Sequence, residues 1–423
     1  MRTSHICEFA KSQERKQTSF SGLRKSAEPI GNFRKRRMKN KFLIILTFVF
    51  PLLNFAQSHL LGEGNISQKS YNEVILFQIE RGNIIIPVTI DNKKYRFLFD
   101  TGASNTLNAD KFVNVKNIGS LKTSDSNSKE ESLMISKVQN FKLGNLLFEN
   151  FNFLKYQFSK NFIFNCLNLD GIIGSNSFKN SIIKIDYQQK KLFITNDLKN
   201  LTPKVKAQKM KLMGYQKLPF IELTLVGKDK VKEDVLFDTG YSKLYTQSNR
   251  AFNIFSKKSV LNRIITKDAK LSIGLFGSDQ ESSKSVFTIP IFIFGDYSLK
   301  NVVAYSSSDD NSKIGNEILN FGSVTLDFVK SKYYFEKLNN NQNTDLLKEY
   351  PLFVPSYENG NLIIGMVISE NLNSVLKVGD KITKIDEHKI DHLNCTDIMN
   401  FQYPKETLEI NNNGIEISLK NYR

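Results

Sequence analysis

Apolar positions along this chain alternate over short runs, and helical periodicity is weak throughout. "VILFQIE" (74–80) and "IIIPVTIDNKKYRFLFD" (84–100) are rich in Ile, Val and Phe, and Asp91-Asn92 supplies a turn between two of the runs. A polar stretch over 116–133 predicts a mobile hairpin or loop. Strands resume at "VQNFKLGNLLFENFNFL" (138–154). "LDGIIGSNSF" (169–178) follows, and then "SIIKIDYQQKKLFI" (181–194), a hairpin turning near Gln188-Gln189.

The second stretch of chain repeats this order. "LPFIELTLVG" (218–227) parallels "IIIPVTIDN", and "DVLFDTGYS" (234–242) parallels "RFLFDTGAS" (96–104). "KIGNEIL" (313–319) parallels "GIIGSNSF", and "GSVTLDFVKSKYYF" (322–335) parallels the 181–194 hairpin. The offset is 138 residues at Asp100/Asp238 and 141 at both Gly174/Gly315 and Asp186/Asp327, so the repeat is an internal duplication. Each copy is too long for a solenoid unit and predicts a β-rich lobe. "TPKVKAQ" (202–208) links the two. After Leu338, "NNNQNTD" (339–345) reads as a second linker. A third unit follows, with strands at 362–368 and 376–390, a short helix at 395–401, and a closing hairpin around Asn413-Gly414.

The N-terminus changes the picture of the mature chain. From Met38, Lys39 and Lys41 precede an apolar run from Phe42 to Leu53, with a cleavage point after Ala56. That run is too short to span a membrane as a helix and fits the core of a secretory leader. Residues 1–56 are therefore read as a basic extension and signal peptide. Net charge is +17, but residues 1–41 alone hold twelve Lys or Arg against three Glu. The rest is a scattered basic surface, which argues against a nucleic-acid partner. The three cysteines, Cys7, Cys166 and Cys395, lie far apart. They form no disulfide framework or zinc spacing, and Cys166 and Cys395 read as small core residues.

The duplicated Asp-Thr-Gly carries the chemistry. A carboxylate at the end of a rigid strand is well positioned, Thr can pin the turn, and Gly permits close approach of another chain. Two lobes related by a pseudo-two-fold axis would bring Asp100 and Asp238 together. Carboxylates roughly 3 Å apart cannot both ionise easily and share one proton. One then acts as a base on water while the other protonates a carbonyl.

On "FDTGAS", "FDTGYS", "GIIG" (171–174) and "KIG" (313–315), the stretch 74–337 resembles an aspartic peptidase of the retropepsin/pepsin type. The resemblance implies two β-barrel lobes around a cleft with Asp100 and Asp238 as the dyad. It implies that Thr101 and Thr239 lock the dyad across the lobes and that Gly102 and Gly240 complete the loops. Ile173-Gly174 and Ile314-Gly315 would each pack on the Asp loop of their own lobe. A flap is implied within 119–135, with a second over 273–286. Two residues depart from the family pattern: Tyr241 stands where a small residue is usual, and Lys313 stands where an apolar one is usual. The third unit resembles a PDZ domain on "LKVGDKITKIDEHKI" (376–390), with "NLIIGMVI" (361–368) as the candidate edge for a peptide strand.

Other constellations are weak. His388 and His392 are four apart and lie near Asp386, Asp391 and Cys395, but the PDZ-like reading places them on a strand–turn–strand instead of one helix face, and these residues read as solvated turns. No phosphate loop follows any strand. The sequence thus predicts an all-β chain with a small α+β PDZ-like domain. The boundaries are 57–201 for the first lobe, 202–338 for the second, 339–345 for the linker and 346–423 for the PDZ-like unit. The implied activity is endopeptidase, acting on polypeptide without cofactor or metal. The PDZ-like unit would dock a peptide or protein. The protein is expected to be exported to the periplasm or the exterior, without a membrane span after leader removal, and monomeric. The alternative is a catalytically inactive peptide-binding or envelope interaction protein using the same cleft and PDZ-like unit.

Overall fold

The computed structural model describes residues 58–423, apart from 272, 339–342, 347–348, 391–393, 396–402, 412–415 and 423. The basic extension and leader, His392, Asp391, and all but Cys395 of the expected 395–401 helix lie outside the described residues. Strands dominate and the helices are short, as the alternating pattern requires.

The site is built on two hairpins of the same design. Asn83–Ile90 pairs antiparallel with Lys93–Asp100. Asp91 and Asn92, at the turn, both take positive φ (49° and 60°). Two successive positive φ values suit a tight two-residue hairpin, and Asp and Asn tolerate them better than most residues. Ile84, Ile86 and Val88 bury one face completely, while Ile85 and Leu98 bury the other. In the second half, Leu218–Val226 pairs with Lys230–Phe237, and Ile221, Leu223 and Leu225 are fully buried.

Each strand that ends at an Asp loop gains a parallel neighbour from far downstream. Phe97–Asp100 pairs with Gly171–Gly174, and Leu236-Phe237 pairs with Lys313-Ile314. Each neighbour also pairs antiparallel with the strand leaving the Asp loop, Thr106–Asn108 in one half and Tyr245–Ser248 in the other. The Asp loops are thus gripped on both sides by backbone hydrogen bonds.

A shared run of six strands joins the halves. Ile182–Asp186 pairs antiparallel with Gly322–Asp327 at its centre. Lys191–Thr195 and Asn72–Leu76 extend it on one side, and Lys332–Lys337 and Gln208–Met213 on the other. Ile183, Ile185, Val324 and Leu326 are fully buried at this seam. Each such side chain contributes roughly 1.5–3 kcal/mol by leaving water. One apolar core runs from Tyr71 to Phe335 across both halves. Asp186 and Asp327 cap equivalent turns, accepting from the N–H of Gln189 and Lys330 at 2.9 and 2.8 Å.

Asn343–Asp345 is a short strand parallel to Tyr297–Ser307. The C-terminal module follows, with a hairpin of Phe353–Glu358 and Asn361–Val367 and a small sheet of Ile382–Ile385, His388–Lys389, Thr407–Ile410 and Glu416–Ser418. It has its own apolar core, onto which Phe162, Ile163 and Cys166 of the first half pack. Among the described residues no helix is long and apolar enough to cross a membrane.

One expectation is corrected here. Cys166 and Cys395 are not separate small core residues: they form a disulfide across 229 residues of sequence. The chain brings the helix Phe162–Cys166 against the C-terminal core, and no spacing rule could show this. Titration of the unfolded full chain should therefore find one reactive thiol before reduction and three after. Cys395→Ser should lower stability to guanidinium by roughly 2–4 kcal/mol.

Candidate active site

The two Asp-Thr-Gly loops interlock. The Thr101 N–H donates to Thr239 Oγ1 at 2.9 Å, and the Thr239 N–H donates to Thr101 Oγ1 at 3.1 Å. Each hydroxyl then donates onward across the junction, Thr101 to the Phe237 carbonyl at 2.5 Å and Thr239 to the Phe99 carbonyl at 2.8 Å. Both threonines are fully buried. Four buried backbone groups are satisfied by two hydroxyls, so neither loop can shift alone without orphaning the other's donors.

The glycines set the distance between the carboxylates. A Cβ on Gly102 would lie 2.5 Å from Asp238 Cγ, and one on Gly240 would lie 2.3 Å from Asp100 Oδ2. Each carboxylate therefore sits over the other loop's glycine, where no side chain fits. Each also accepts from its own loop, Asp100 Oδ1 from the Gly102 N–H at 2.8 Å and Asp238 Oδ1 from the Gly240 N–H at 2.9 Å. Burial, the charge of Asp238 and a hydrogen bond to it push the Asp100 carboxyl well above the usual carboxylate range.

Ile173 and Ile314 are fully buried. A Cβ on Gly174 would stand 2.3 Å from the Ala103 carbonyl oxygen, and one on Gly315 would stand 2.1 Å from that of Tyr241. An asparagine after each of these glycines was not singled out from the sequence. Asn176 accepts from the Asn105 N–H, and Asn316 donates to the carbonyls of Thr239 and Gly82 at 2.6 and 2.9 Å. Asn176 stands two positions after its glycine and Asn316 directly after its own, so the two are not in register in the repeat.

The second half brings a cation to the pair. Lys313 Nζ lies 3.2 Å from Asp238 Oδ2 and 2.7 Å from Asp309 Oδ2, with all three side chains nearly buried. Burial alone would lower the Lys313 ammonium, but the two carboxylates outweigh it and hold the group above its ordinary range. Asp309 itself is raised by burial, against the pull of Lys313. A lysine where an apolar residue is usual was visible in the sequence. Its partner Asp309 was not, because the contact depends on the 309–313 turn.

The two segments expected as flaps meet each other. Asn117–Ser124 and Glu130–Leu143 form a long hairpin. At its tip Asn127 Nδ2 donates to the Gly277 carbonyl at 2.8 Å, and Asp125 Oδ2 accepts from the Phe276 N–H at 2.9 Å. Ile273-Gly274 and Gly277-Ser278 form the small hairpin that receives it. Among the described residues no cluster of His, Cys, Asp and Glu is disposed to hold a metal.

The threonine lock gives a direct test. Thr239→Val leaves the Thr101 N–H and the Phe99 carbonyl without partners and should cost roughly 2–5 kcal/mol of stability in urea unfolding. Thr239→Ser keeps the oxygen and should cost under about 1.5 kcal/mol.

The comparisons bear on this site. The chain matches none of the curated proteins it was compared with. Residues 86–177 match a family model described as aspartyl protease. That span holds Asp100, Thr101, Gly102, Ile173 and Gly174, and the match supports an aspartyl protease domain in this chain.

Proposed function

We propose that the protein is an aspartic endopeptidase of the retropepsin/pepsin type, with two lobes related by a pseudo-two-fold axis and Asp100 and Asp238 as its dyad. The observation that carries this reading is the reciprocal seating of each carboxylate over the other loop's glycine. A purely structural turn has no need of it. The matching strand pairings around the two loops support the symmetry.

The chemistry follows from where the proton sits. Asp238 is the ionised member beside Lys313, and Asp100 holds the proton. Asp238 takes a proton from a water held between the two carboxylates. The water oxygen attacks the peptide carbonyl carbon, and Asp100 gives its proton to the carbonyl oxygen, forming a neutral gem-diol. Collapse of the diol breaks the C–N bond, with Asp238 returning its proton to the departing nitrogen and Asp100 regaining one from the diol. A polypeptide would lie extended beneath the long hairpin, which must lift from 273–278 to admit it.

The C-terminal module is read as PDZ-like, docking a peptide or protein partner. Export through the 38–56 leader fits with the Cys166–Cys395 disulfide, which persists in oxidising compartments. The duplicated loops supply both half-sites in one chain, so a monomer suffices.

Incubation with a diverse peptide library should give internal cleavage by the wild type, lost by at least about 1,000-fold in both Asp100→Asn and Asp238→Asn. Equal behaviour of all three proteins would refute the dyad. Lys313→Met removes a cation that favours the ionised pair, so both limbs of the pH–rate profile should move to higher pH. A profile unchanged in position would show that Lys313 does not act on the dyad.

A further inference from the structure

A cavity of about 170 Å3 opens beside the pair on the second half. Its lining includes Tyr241, Lys243, Lys284, Tyr305, Asp309 and Lys313. Ser126 from the long hairpin's tip and Val354 from the C-terminal module also line it. Neither carboxylate of the pair lines it, but Lys313, which contacts Asp238, does, and so does the tip of the long hairpin.

The three lysines of this wall are unequally paired. Lys313 is neutralised by Asp238 and Asp309. Lys284 is fully buried and lies 3.5 Å from Asp279, also donating to Ser308 Oγ at 3.1 Å. Lys243 has no carboxylate within 4.0 Å among the described residues. Its ammonium lies 5.6 Å from the centre of the Tyr305 ring, and Glu317 acts on it only at longer range. Lys243 is exposed, so solvent reaches its side chain at the edge of this lining. A second group points the same way. Ser307 Oγ, in the same lining, is buried without a hydrogen-bond partner. A cation lacking a counter-ion and a hydroxyl lacking an acceptor are completed together by one carboxylate.

We propose that this cavity is a substrate subsite for an acidic side chain, with Lys243 as its specificity-determining residue. The proposal rests on the peptidase reading of the cleft and deepens it. A peptide lying across Asp100 and Asp238 places a Glu or Asp near the cleaved bond into the cavity, where the carboxylate pairs with Lys243 and accepts from Ser307. A Gln of the same shape takes the space but brings no charge, and a Lys or Arg meets Lys243 and Lys313 as like charges.

The test has two readouts. The full chain is incubated with a peptide library and the residues flanking each cleavage are tallied. A matched pair of peptides with Glu or Gln at the enriched position is then compared. In parallel, Asp100→Asn is used to retain the same pair without turnover. Glu should be favoured over Gln by roughly tenfold. That ratio should fall to about one in Lys243→Met and should pass to Lys or Arg in Lys243→Glu. A lack of acidic enrichment, or a Glu preference that survives both substitutions, would overturn the subsite. If no peptide is cleaved, the peptidase reading fails. Retention then decides the subsite: Glu-selective retention that depends on Lys243 upholds it, and unselective or absent retention overturns it.

Discussion

Everything in this molecule is arranged around the contact between two carboxylates that water would keep apart. Two buried acids cannot both be charged at such close range, and the fold must hold them there against that repulsion. It does so with backbone, not with flexible side chains. The Thr101–Thr239 exchange satisfies four main-chain groups, and the parallel strands Gly171–Gly174 and Lys313-Ile314 brace each loop from behind. The seam of Ile183, Ile185, Val324 and Leu326 supplies the burial that keeps the halves from rotating apart.

The two loops are nevertheless unequal. Ala103 follows one glycine and Tyr241 the other, and only the second half carries Lys313 and Asp309 against its Asp. A buried ion triad of this kind is costly to assemble and still more costly to break, because removing one member strands the others. Its position makes the surroundings of the two carboxyls unlike, Asp238 alone lying within 4 Å of Lys313.

Three segments bond to one another around the tip of the long hairpin. The tip of the 117–143 hairpin bonds to Phe276 and Gly277. The neighbouring Ser278 donates to the Tyr357 carbonyl in the C-terminal module, and the Lys270 N–H donates to the Gly365 carbonyl there. The disulfide fastens that module to the helix Phe162–Cys166, whose N-cap Asn161 donates to the Gly274 and Leu275 carbonyls. Much of the hairpin framework was legible beforehand: the alternation of Ile84, Ile86 and Val88, the Asp91-Asn92 turn, and the 138- and 141-residue offsets that set the loops in register. The residues that meet at the site were legible because they recur. What was not legible depends on long-range contact between unrepeated residues. Cys166 and Cys395 carry no informative spacing, Asp309 is one acid among many, and the strand at 343–345 looked like a polar linker because Asn343-Thr344-Asp345 holds no apolar residue.

The most direct test of the shared proton needs no substrate. Carbon-13 carboxyl labelling with NMR titration of wild type, Asp100→Asn and Asp238→Asn would follow the two groups individually. One carboxyl, Asp100, should retain its proton well above the usual carboxylate range, and Asp238→Asn should remove much of that elevation. Two signals titrating independently at ordinary carboxylate pH, each unmoved by substitution of the other, would contradict the account.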